Sequence, residues 1–255
     1  MSDILSHTEA GVMTITINRL ERKNSLTADM YAALADALDA AEADPSVRVA
    51  LVQGHETIFS AGNDIADFQK PRADDGVETP VLRFLRTIAA FPKPLLAAVC
   101  GPAVGVGTTM LLHCDLVYAG DNAAFSMPFV NLGLCPEAAS SLLLPQMLGY
   151  HRAAEALLMG DPIMAEAALE VGLVNRILPP TETNAIAQAQ ARKLATKPPE
   201  SLRETKRLMK LGLRASVTQQ MAEEGAVFAR LLRSPAAQEA FAAFMERRKP
   251  DFSRF

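Results

Sequence analysis

Four short apolar runs, each parted from the next by helical or polar chain, constrain this sequence most. Val12 to Asn18 (VMTITIN) alternates and is β-branched, which reads as a strand. Val47 to Gln53 (VRVALVQ), closed by Gly54, is a second, Leu95 to Cys100 (LLAAVC) a third, and Asp115 to Tyr118 (DLVY) opens a fourth. Between the first two, Thr27 is placed to cap a helix, with Asp29 in its first turn. Met30, Leu34, Leu38 and Ala41 then recur at helical spacing through Ala43. Short strands separated by helices of this kind predict an α/β fold with helical crossovers.

After a further short strand, Val174 to Leu178, the pattern turns helical from Glu182 onward, broken only at Lys197-Pro198-Pro199. Met221, Phe228 and Leu232 form one apolar stripe, with a gap at Gly225. Ala237, Phe241 and Met245 form another. A helical tail of about sixty residues is small for a core of its own. The chain therefore divides into a body over 1–195 and a helical region over 196–255 that packs on the body or on another subunit. Lys70 to Thr79 (KPRADDGVET) reads as a surface loop giving access to substrate.

A net charge of −4 gives no basic face for nucleic acid, though it leaves room for a local patch that holds a phosphorylated group. Cys100, Cys114 and Cys135 are too few and too scattered for a disulfide framework or a metal site, and two of them sit in apolar runs as buried thiols. The four histidines are dispersed, so no metal or redox cofactor is implied. His113 and Asp115 flank Cys114, a spacing from which no triad is read. The first residues lack the basic and apolar regions of a secretory signal, and no apolar stretch reaches the length of a membrane span. The expectation is a cytoplasmic enzyme.

Two glycine-bearing segments follow strands: Ile58 to Asp64 (IFSAGND) and Cys100 to Thr109 (CGPAVGVGTT), the second opening into a helical run to His113. Taken singly, each reads as a strand-to-helix turn whose glycines permit tight packing. Gly105 and Gly107 lack the third glycine and the acidic partner of a dinucleotide fingerprint.

NRLERKNSL (18–26), FSAGNDI (59–65), KPLLAAVCGPAVGVGTTMLLHCDLVYAG (93–120), AEAALEVGLVNRI (165–177) and ERRKPDF (246–252) together resemble, in this order and over nearly the whole chain, the enoyl-CoA hydratase/isomerase (crotonase) superfamily. The resemblance implies a spiral of ββα units through roughly Leu194, followed by a helical oligomerisation region, in a homotrimer or dimer of trimers. It implies an acyl-CoA substrate, with coenzyme A arriving as part of it and no separate cofactor. It also implies that the backbone N–H groups of Asn63 and Val106 hold the thioester oxygen as negative charge develops there. Ala61, Asp64 and Ile65 would hold adenine and pantetheine, and Lys23 would lie beside the adenosine end. Phe228 and Arg247 would complete the pocket, often of a neighbouring subunit; core packing and a solvated helix face are the alternatives for these two.

The departures from the family pattern bear on the reaction. Hydratases of the family carry two glutamates, at positions held here by Thr109 and Phe129. Neither can act as a general base. A branch that displaces chloride from aryl thioesters uses a Trp, and this chain has none. Leu134 to Ser141 (LCPEAASS) resembles the segment in which Δ3,Δ2-enoyl-CoA isomerases carry one catalytic glutamate, which assigns that role to Glu137. Its apolar neighbours Leu132, Leu134, Cys135 and Ala138 would raise its pKa. The competing reading makes Glu137 a first-turn acid of a helix running from Ala138 to Leu148. The expected activity is transfer of a double bond from 3-enoyl-CoA to 2-enoyl-CoA. The alternatives are a hydratase-like enzyme and a non-catalytic acyl-CoA binder. An exposed, ion-paired Glu137 would favour the binder, and a buried one facing the thioester the isomerase.

Overall fold

The computed structural model describes residues 2–68 and 78–255. Among the described residues there are nine strands: β1 (Ile4–Glu9), β2 (Val12–Ile17), β3 (Val49–Gln53), β4 (Leu95–Val99), β5 (Pro102–Val104), β6 (Leu116–Gly120), β7 (Ala124–Ser126), β8 (Ile163–Met164) and β9 (Arg176–Leu178). The larger sheet runs β1-β2-β3-β4-β6-β9 and the smaller β5-β7-β8. From β2 to β9 the larger sheet is parallel, with Ala50 opposite Leu95 and Leu96 opposite Leu116; β1 adds antiparallel at its edge.

The helices are α1 (Ala28–Ala43), α2 (Ile65–Phe68), α3 (Pro80–Ala90), α4 (Val106–Thr109), α5 (Ser140–Leu148), α6 (Tyr150–Ala154), α7 (Ala165–Glu170), α8 (Pro180–Ala195), α9 (Pro199–Leu211), α10 (Arg214–Leu232) and α11 (Pro235–Met245). Thr27 caps α1 as its sequence predicts, its hydroxyl accepting from the Met30 amide. Thr79, the last residue of the expected loop, caps α3; that loop's residues through 77 lie outside the described residues.

Strands β3 and β4 are buried along almost their whole length, as parallel strands covered on both faces must be. Alternate residues face opposite layers. Ala50, Val52, Leu95, Ala97 and Val99 meet α1 and α3 in one core. Val49, Leu51, Leu96, Ala98 and Tyr118 meet Ala187, Ala191 and Ala195 of α8 in another. The alanines recur every fourth residue, so one small-residue face of α8 lies directly on the sheet. Three strands of the large sheet lead into the small one: β4 into β5 and then α4, β6 into β7, and β3 into Ser60, which bridges Ala103. That is the expected spiral of ββα units.

Lysines tie the layers. Lys93 donates to the carbonyls of Ala41, Asp44 and Val47 at 2.6, 2.7 and 2.8 Å, placing a cation at the C-terminus of α1. Lys206 of α9 reaches the Lys93 carbonyl and Asp115, each at 2.7 Å, so the C-terminal helices are anchored to the body. The second expected apolar stripe is shorter than its spacing suggested. Ala237 and Phe241 are buried, but Met245 is exposed because α11 ends there, beyond the core it covers. Cys100 is buried as expected, whereas Cys114 and Cys135 are half-buried. Among the described residues, no helix is long and apolar enough to cross a membrane.

Candidate active site

The two glycine-bearing segments lie backbone to backbone. Val104 donates to the Ser60 carbonyl at 2.9 Å, and a Cβ on Gly62 would stand 2.8 Å from the Val104 carbonyl oxygen. At φ +85° Gly62 adopts a conformation that other residues enter at a cost. Around Asn63 the amides alternate in use. Gly62 N–H donates to Ser60 Oγ and Asp64 N–H to the Leu26 carbonyl, while Leu26 N–H donates back to Gly62. In such a pairing the intervening N–H points away from the partner strand. Among the described residues the Asn63 N–H meets no acceptor. Its side chain is held by the Tyr31 hydroxyl at 2.5 Å.

In the second segment Gly105 takes φ 55°, ψ −118°, a region reserved for glycine. Its carbonyl accepts from Thr108 and Thr109, and its N–H is used by Ser126. Val106 is therefore the first residue of a helix, where an N–H has no carbonyl one turn earlier. Among the described residues this amide is also unused. Two free main-chain donors thus sit on adjoining segments.

Val106 opens a helical run that continues through Thr109 to His113. The His113 ring then meets the chain beside Glu137: Nε2 stands 2.8 Å from the Ala138 carbonyl, which accepts, so Nε2 carries the hydrogen. Burial, followed by the charge of Lys210, pushes the His113 pKa down to about 4, so the ring is neutral.

The helix expected from Ala138 begins two residues later, at Ser140. Ala138 and Ala139 are both left-handed, at φ 61° and 56°, a conformation costing roughly 1–2 kcal/mol per alanine. Glu137 is thus no first-turn acid. The left-handed pair turns the chain there; Glu137 as a residue is 7% exposed, and its Oε1 is buried with no hydrogen-bond partner. Among the described residues Thr109 Oγ1 is the other buried side-chain oxygen left alone. Such atoms cost about 1–3 kcal/mol each and call for an explanation. Burial first, and the nearby Glu224 carboxylate second, raise the Glu137 pKa to about 8.

The other predicted residues divide. Ala61 and Ile65 are half-buried on the first segment, and Lys23 is exposed, its carbonyl accepting from Ala61 N–H at 3.0 Å. The Asp64 carboxylate is engaged by Arg19 at 2.7 Å and receives Ser25, so it is committed within the protein. Of these four, Asp64 alone lines a cavity of about 220 Å³, together with Arg19, Arg22, Thr27, Ala66 and Asp67; Ala61, Ile65 and Lys23 are not in its wall. A larger hollow of about 290 Å³, over β1 and β2, includes none of the predicted residues. Phe228 packs edge-on to Phe129 at 6.4 Å between centroids, and Phe129 in turn approaches Gly105, so Phe228 walls the second segment. Arg247 is exposed and left-handed just past α11. Sequence reasoning did not single out Tyr31 or Glu224, whose roles depend on partners 32 and 85 residues away.

Comparison with known proteins gives one family. The family model described as enoyl-CoA hydratase/isomerase matches residues 7–254. Enoyl-CoA delta isomerase 2 of Rattus norvegicus is 39% identical over 214 residues, covering 81% of this chain; the chain spans 54% of that protein. The 1,2-epoxyphenylacetyl-CoA isomerase of Escherichia coli K12 is 36% identical over 261 positions, covering 99% of each. A crystal structure of an enoyl-CoA hydratase/isomerase from Pseudoalteromonas atlantica T6c superposes with a TM-score of 0.95 at 41% identity, covering 99% of this chain and 100% of that one.

Proposed function

The chain belongs to the enoyl-CoA hydratase/isomerase family of acyl-CoA enzymes, and on that premise we propose that it moves a double bond from the 3- to the 2-position of an enoyl-CoA thioester. One observation carries the reading: the carboxyl of Glu137 is buried, unpaired and raised to about 8, on a turn held against the run that starts at Val106. Glu137 takes a proton from C2 of the 3-enoyl thioester. Electrons pass toward the thioester oxygen, where the N–H groups of Asn63 and Val106 receive the developing charge. The same carboxylic acid returns its proton at C4, the double bond settles between C2 and C3, and Glu137 is regenerated. A single proton carrier suffices because no water is added. Thr109 and Phe129 stand where a hydratase would need carboxylates, which favours this reading over hydration.

Coenzyme A enters as part of the substrate. The cavity lined by Asp64, with Arg19 and Arg22 at its wall, is where its polar end would lie; Ala61, Ile65 and Lys23 belong to the same proposal through the family resemblance. Arg247 and Phe228 would close the pocket. A homotrimer or dimer of trimers belongs to the same proposal, supported by exposed Leu208, Met209, Leu211 and Phe244 on the C-terminal helices. Absorbance of the conjugated enoyl thioester tests the reaction. A gain with 3-hexenoyl-CoA is expected, with little loss from crotonyl-CoA. Loss from crotonyl-CoA alone would make the protein a hydratase, and silence with both would leave an acyl-CoA binder.

Gly62 offers a second test. A Gly62→Ala variant must accommodate φ +85° and push back the Val104 carbonyl 2.8 Å away, separating the segments that carry the two donors. Misplacing one such donor should lower kcat by about 100- to 1000-fold. Wild-type turnover in a folded Gly62→Ala protein would remove Asn63 and Val106 from the mechanism.

A further inference from the structure

Glu224, from the C-terminal helix α10, has so far entered only as a charge near Glu137. The residue is 6% exposed, and its carboxylate receives three donors: Ala139 N–H at 2.6 Å, Ser141 N–H at 3.0 Å and the Ser141 hydroxyl. Gln220, one turn earlier, donates to the same hydroxyl at 2.8 Å. Helix α5 has no capping side chain of its own, because its N-cap is Ala139. Glu224 therefore caps α5 from another element, placing an anion where N–H groups are unpaired. The residues it grips are those that leave Glu137, while His113 holds the intervening Ala138 carbonyl from the other side.

We propose that Glu224 is a positioning residue: gripping Ala139 and Ser141, it fixes the left-handed turn that presents Glu137 to the substrate and sets a negative charge behind it. This rests on Glu137 being the proton carrier. The two carboxyls are unequal by construction. Glu224 accepts three hydrogen bonds that favour its ionised form, opposing the burial that raises its pKa. Glu137 Oε1 accepts none. Glu224 ionises first, and its charge makes Glu137 hold its proton to higher pH. Of the other groups around the turn, His113 is neutral and the Cys135 thiol is pushed up to about 11 by burial. Lys210 and Lys206 act on His113, and Arg230 acts on Cys135. Glu224 is thus the neighbour whose charge reaches Glu137.

The test compares pH profiles of 3-hexenoyl-CoA isomerisation in wild type, Glu224→Gln and Ser141→Ala, with thermal melts to verify folding. Glu224→Gln should lower plateau kcat roughly tenfold or more with KM nearly unchanged. It should also move the rising limb of kcat/KM to lower pH, a shift that loss of packing alone would not produce. Ser141→Ala, which removes one donor and keeps the charge, should lower kcat less and is the fallback if Glu224→Gln does not fold. Wild-type kcat and limb position in every folded variant would overturn the proposal while leaving Glu137 intact. Isomerase turnover in Glu137→Gln would instead remove the reading beneath it.

Discussion

Glu137→Gln should lower kcat for 3-hexenoyl-CoA by about 100- to 10,000-fold, the usual worth of a positioned proton carrier, with KM changed little. The glutamine keeps the size of the side chain but can neither take the C2 proton nor return it at C4. Substrate binding is left nearly intact because the donors at 63 and 106 are main-chain. The wild-type profile should carry the signature of the same group. The base form must be ionised, so kcat/KM should rise with pH, about tenfold per unit below the Glu137 pKa of about 8, and level off above it. A variant that retains turnover, or a wild-type profile flat from pH 6 to 9, would exclude Glu137.

The same substitution should have the opposite effect on stability, and the effect should depend on pH. In the unfolded chain this carboxyl releases its proton near 4.5, whereas in the fold it holds it to about 8. Between those values the native state binds more protons than the unfolded state, so Glu137 makes the protein progressively less stable as pH rises. By pH 8 the cost accumulates to an order of 2–5 kcal/mol. Glu137→Gln lacks it. The melting temperature of the variant relative to wild type should therefore be several degrees higher at pH 8 than at pH 5, at roughly 2–4 °C per kcal/mol for a chain of this size. Any constant cost of burying an amide cancels in that comparison. An equal difference at both pH values would mean that the carboxyl is not charged at the expense of the fold.

These two expectations come from one residue whose importance was partly legible in the sequence. LCPEAASS marked Glu137, and its apolar neighbours foretold the raised pKa. The local geometry was not legible. Two alanines before a helical pattern argue for helix on propensity, yet Ala138 and Ala139 are left-handed. Tertiary contacts override the local preference: His113 on one side and Glu224 on the other, both distant along the chain. Strands announced by alternation or by an apolar run, β2, β3, β4 and β6, are where they were expected. Strand β1 went unread because its exposed residues follow no two-residue alternation of burial. Strands β5, β7 and β8, of two or three residues each, exist only through pairings that no local pattern encodes. The donors at 63 and 106 were placed through family resemblance. What leaves their amides free is the Leu26 pairing and the helix start at Val106, and these became visible only in three dimensions.

The brace on the turn that carries Glu137 is supplied by a residue that leaves the ribosome 85 positions after Ala139. A nascent chain that has finished both sheets still lacks the partner that holds Ala139 and Ser141. On the proposed role of Glu137, competence for proton transfer is thereby among the last properties acquired during synthesis, and an intermediate with a complete core but an undocked C-terminus would turn thioesters over poorly.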